Sequence, residues 1–117
     1  MPSKKPSERL EDILDNIDWI QSDIRALGEE EFLADRQVQD AVLYCLLRIT
    51  EAAAKLQDRA ERLAPDQPWG KIRSLGNLLR HAYDEIDLRV IWRIVRDDLP
   101  SLRQACELAS TKLSKSS

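Results

Sequence analysis

W-G-K-I-R-S-L-G-N-L-L-R-H-A-Y, residues 69–83, governs how the rest of the chain is read. At about 100° per residue the stretch divides by chemistry. With His81 as zero, Asn77 falls near roughly −40°, Arg73 near about −80° and Arg80 near about −100°. Ile72, Leu75, Leu79 and Ala82 gather on the opposite side, with Leu78 between. The period is that of a helix with one oily face. A helix that only had to pack would accept Lys, Glu and Gln outside. An amide, two guanidiniums and the chain's one imidazole on a single side mark a candidate site instead.

The same period continues on both sides of this stretch. Upstream, A-P-D-Q-P-W is a turn, with Pro68 suited to the first helical position. Before it, Asp35 caps a long helix predicted to run through Leu63, its stripe formed by Val38, Val42, Cys45, Leu46, Ile49, Ala53, Leu56, Ala60 and Leu63. Arg48, Glu51 and Lys55 share another side of that helix, either as solvated ion pairs or as part of the site. Residues 29–34 form a short helical turn carrying Phe32 and Leu33. The first helix is expected from a Ser7 cap to Leu27, with Gly28 as its C-terminal stop. Leu10, Ile13, Leu14, Ile17, Ile20 and Ile24 form its stripe, and Trp19 lies off the centre.

Downstream, D-E-I-D-L is a solvated connection. The last helix starts near Leu88 and turns Ile91, Trp92, Val95, Leu99, Leu102, Cys106 and Ala109 inward. Pro100 should kink or restart it after Asp98, and residues 111–117 should fray. Gly76, inside the opening stretch, costs about 1 kcal/mol relative to Ala, which a close approach to another backbone would explain. The expected fold is all-α: an up-and-down four-helix bundle with a short extra helix over residues 7–113, between tails at 1–6 and 114–117.

Composition agrees. The 117 residues suit one domain, and 43% hydrophobic content suffices for one core. A net charge of −3 argues against a broad electrostatic grip on nucleic acid. Any RNA contact must come from a local arginine cluster or a surface assembled by two subunits. Cys45 and Cys106 fall on apolar phases, which makes them buried thiols rather than a disulfide or metal pair. No apolar run approaches the ~20 residues of a membrane span, and residues 1–9 lack a signal peptide's apolar region. The expected location is cytoplasmic, without membrane contact. With no zinc spacing, phosphate loop or nucleophile elbow, no cofactor or metal is expected.

Suppose the polar face works on RNA without a metal: its groups then have chemistry to offer. An imidazole with an ordinary pKa of about 6.5 can take the 2′-hydroxyl proton or protonate the leaving oxygen. A guanidinium is permanently charged and its fork matches phosphate oxygens. Asn77, one turn before His81, can orient the ring or hold a phosphate oxygen. With one histidine per chain, a two-histidine mechanism needs a homodimer that apposes two copies of this helix. On these residues alone, the plainer reading of His81 is a surface ion-pair partner.

The run W-G-K-I-R-S-L-G-N-L-L-R-H-A-Y-D-E-I-D-L-R-V-I-W-R-I-V-R-D-D-L-P resembles the core of HepT-type toxins, in the HEPN superfamily of helical-bundle ribonucleases. Trp69, Ile72, Asn77, His81, Tyr83, Ile86, Asp87, Trp92, Asp98, Leu99 and Pro100 carry the resemblance, with Glu51 upstream at the family's Glu-Ala. It implies a metal-independent endoribonuclease toxin, homodimeric, with its site in a cleft between subunits. The implied partner is a minimal nucleotidyltransferase antitoxin, MntA-type, that adds AMP to Tyr83. His81 becomes the catalytic imidazole and Asn77 its polar neighbour. The family's arginine, most often just before the Asn, is Gly76 here. Arg80 is therefore expected to bind phosphate, with Arg73 in support. A non-catalytic helical subunit of a two-component nucleotidyltransferase is the alternative function.

Overall fold

The computed structural model describes residues 5–116, and all of their regular structure is helical. Helix α1 spans Pro6–Ile24, α2 Glu29–Ala34, α3 Arg36–Leu56, α4 Asp58–Leu63 and α5 Trp69–His81. A 3₁₀ turn over Tyr83–Glu85 leads to α6, Leu88–Arg93. A π-helical turn, Ile94–Asp98, joins α6 to α7, Leu99–Ser116. Helix α3 is central, packed against α1 on one side and α5 on the other, while α7 closes the bundle against α1.

The stripes meet as the periodicity requires. Leu10, Ile13, Ile17 and Ile20 of α1, Val42, Leu46, Ile49 and Leu56 of α3, and Ile91, Val95, Leu102 and Cys106 near the end share one core. Phe32 on α2 stacks at a tilt on Trp92, ring centroids 5.3 Å apart. Trp69 is buried, and its indole N–H donates to the Ala64 carbonyl at 2.8 Å, which ties the start of α5 to the preceding turn. Asp35 caps α3 by accepting from the Val38 N–H, and Asp87 accepts from the Arg89 N–H at the start of α6. Cys45 and Cys106 are free and buried.

Several boundaries differ from expectation. Pro6, not Ser7, opens α1, its missing N–H falling where none is needed. The helix ends at Ile24, and Gly28 stops nothing. It sits at φ −94° as the residue before α2, where its N–H donates to the Glu31 carboxylate. Pro68 stands one residue outside α5. The long second helix breaks at Gln57 (φ 55°, ψ −138°) and restarts as α4. Pro100 acts as expected: it has no N–H, and the chain widens into the π turn just before it, with the Leu99 N–H reaching the Ile94 carbonyl. Instead of fraying at Thr111, α7 continues to Ser116, with Leu113 packed against the core. Of the two tails, residues 1–4 and Ser117 lie outside the described residues.

Candidate functional site

Two contacts orient α5 against α3. A Cβ built at Gly76 would stand 2.7 Å from Thr50 Oγ1 and 2.8 Å from Thr50 Cβ. Arg73, three residues before Gly76, donates to the carbonyl of Gln57, seven residues after Thr50, at 2.6 Å. The helices therefore run antiparallel. In an antiparallel pair, equal rotations from the line of contact bring side chains to the same flank. From Gly76, Arg80 lies at about +40° and Asn77 at about +100°; from Thr50, Glu51 lies at about +100° and Tyr44 at about +120°. By this projection the polar sides of α3 and α5 face the same flank of the helix pair.

Arg80 lies on that flank, near the line of contact. Helical side chains lean toward the N-terminus, so this one folds back over the preceding turn. Its Nη2 donates to Asn77 Oδ1 at 2.8 Å. Its Nη1 lies 3.2 Å from the point where a Gly76 Cβ would stand. Gly76 thus lets α5 close onto Thr50 and leaves a berth for the guanidinium. An arginine at position 76 would drive its own Cβ into Thr50. Asn77 holds the cation rather than the imidazole. His81 is the last residue of α5, exposed, and has no hydrogen-bond partner for its ring among the described residues.

Arg73 is engaged elsewhere. It clamps Glu61 with two hydrogen bonds, 2.7 and 2.9 Å, besides the one to the Gln57 carbonyl. These bonds raise the Arg73 pKa further and hold the Glu61 carboxyl below its ordinary range. The clamp fastens the corner between α3 and α4 to α5, so Arg73 has a structural task that the sequence did not reveal.

The sequence leaves Arg48 and Glu51 open between ion pairs and the site. No ion pair forms for Arg48, Glu51 or Lys55 among the described residues. Arg48 donates to the Tyr44 hydroxyl at 3.1 Å, its guanidinium carbon 5.9 Å from the ring centroid. Glu51 is half-buried on the Asn77 flank. Tyr83, in the 3₁₀ turn after α5, is 51% exposed. The sequence reading missed Thr50, whose signal was a hydroxyl on a buried phase one helix away from a mid-helix glycine.

No helix among the described residues is long and apolar enough to cross a membrane. No group of three or more His, Cys, Asp or Glu among them has the arrangement to hold a metal ion.

Residues 13–109 match the family described as Ribonuclease HepT-like. The chain is 38% identical over 94 residues to "Probable ribonuclease HepT" of Thermococcus cleftensis, covering 80% of this chain and 86% of that protein. It is 34% identical over 101 residues to "Putative RNase MJ0127" of Methanocaldococcus jannaschii, covering 86% and 84%. No solved structure matches the chain with significance.

Proposed function

The chain belongs to the HepT-like ribonuclease family, and from that membership we propose that it is a metal-independent endoribonuclease working as a homodimer. One observation carries the proposal: Arg80 is braced by Asn77 over Gly76, directly beside His81, which is exposed and has no ring hydrogen-bond partner among the described residues. The guanidinium supplies fixed positive charge to the phosphate as it becomes a crowded phosphorane. The imidazole of one protomer takes the 2′-hydroxyl proton, and that of its partner delivers a proton to the 5′-oxygen as the P–O bond breaks. Asn77 positions Arg80. Arg73 belongs to the fold rather than to the chemistry.

In a toxin–antitoxin pair, the antitoxin would be a minimal nucleotidyltransferase acting on Tyr83. The phenolic oxygen attacks the α-phosphorus of ATP, forming an O–P bond while pyrophosphate leaves. The exposure of Tyr83 supports access by a second protein. The added phosphate puts negative charge two residues from His81, where the RNA phosphate must sit, and so opposes substrate binding.

The test is cleavage of single-stranded RNA by the purified protein in the presence of EDTA. His81→Ala and Arg80→Ala should each lower the rate by about 10²-fold or more. Arg73→Ala should retain the activity at temperatures where it stays folded. Equal cleavage by wild type and His81→Ala, or none by either, overturns the proposal.

A further inference from the structure

Tyr44 stands outside the buried core of the bundle. Its ring is 58% exposed on α3, a large aromatic surface facing water rather than the core. Arg48, one turn on, donates to its hydroxyl and sets a guanidinium against the ring, so the side chain is held in place. Ordering an exposed ring costs side-chain entropy, with no core packing to offset it. A held, solvent-facing aromatic paired with a cation is what a stacking platform for a nucleobase requires.

Its position fits that use. Tyr44 lies six residues before Thr50, a rise of roughly 9 Å along α3. His81 lies five residues after Gly76, a rise of roughly 7.5 Å along α5. Because the helices are antiparallel, both displacements run the same way from the Thr50–Gly76 contact. Tyr44 and His81 thus stand at nearly one level on the same flank of the helix pair, one on each helix, with Arg80 nearer the line of contact. We propose that Tyr44, backed by Arg48, is a substrate-positioning residue that stacks on one base of single-stranded RNA next to the scissile phosphate gripped by Arg80. This inference rests on the ribonuclease reading above. It adds a base-binding site, tolerant of sequence because every base offers a π face.

The experiment uses the full chain and a mixed-sequence oligoribonucleotide of about ten nucleotides, the scale of a single-strand binding site. KM and kcat are measured for wild type, Tyr44→Ala, Tyr44→Phe and Tyr44→Trp, with the oligomeric state followed by sedimentation. Tyr44→Ala should raise KM by about tenfold while kcat stays within about threefold. Phe and Trp, which keep a ring without the phenol, should restore KM to within about threefold of wild type. Removing single bases from the substrate should weaken wild type strongly at one position only, and Tyr44→Ala should lose that preference. An unchanged KM in Tyr44→Ala overturns the platform and leaves the ribonuclease standing. A change in sedimentation caused by Tyr44→Ala also overturns it and makes Tyr44 an interface residue. If wild type cleaves no RNA, the ribonuclease reading falls first and the platform with it.

Discussion

A single missing Cβ at Gly76 sets the spacing between α5 and α3, and the guanidinium of Arg80 takes the remaining room. Gly76→Ala gains about 1 kcal/mol of helix propensity, but its methyl meets Thr50 Cβ at 2.8 Å, where neither partner has a flexible end to move aside. Overpacking typically costs about 1–3 kcal/mol, so net destabilisation is expected. A lower urea midpoint for Gly76→Ala, with cleavage reduced as Arg80 is displaced, checks it. A second expectation concerns the thiols. Burial is the main cause that raises both, Cys106 to about 12. Neither should react with a thiol reagent at pH 7 until the protein unfolds, as time-resolved labelling in and out of denaturant would reveal.

Among the elements, the corner between α3 and α4 concentrates the strain. Gln57 takes a positive φ with a side chain attached, a costly conformation that persists only when its surroundings impose it. Arg73 imposes it, by binding the Gln57 carbonyl and both oxygens of Glu61. Its hydrogen bonds hold the folded-state pKa of Glu61 below the ordinary 4.5. The stability from this pairing is therefore complete above pH 4.5 and is lost as pH falls through the lowered folded value. Glu61→Gln should lose less stability than wild type between pH 7 and about pH 3. Arg73→Ala should flatten the same pH dependence and lower stability at pH 7. Urea midpoints at the two pH values measure both, and parallel slopes for all three proteins would remove the clamp from the account.

At the scale of the whole molecule, each protomer carries one histidine and a net charge of −3. In the proposed homodimer, two-imidazole chemistry on a polyanion would draw on a second copy, which would double the arginines at one groove. Specific activity per protomer should fall on dilution in parallel with the loss of dimer mass in sedimentation. Activity that stays constant through dissociation would place the whole chemistry in one chain.

The all-α bundle was legible in the sequence because hydrophobic periodicity is local: each stripe of residues three and four apart states which face must leave water. The cap at Asp35, the restart near Pro100 and the buried thiols were legible because their signals are local too. What the sequence left open was decided between elements. Arg73 and Arg80 lie close together on a helical projection, where Arg80 is read first with Arg73 in support, and packing gives each its own partners: Arg73 meets the Gln57–Glu61 corner while Arg80 folds back over Gly76. The break at Gln57 has no local signal, since it is held from sixteen residues away by Arg73. Tertiary structure decided those contacts because a side chain's surroundings depend on what packing brings within its reach: the Gln57–Glu61 corner for Arg73, and for Arg80 the room that Gly76 leaves against Thr50.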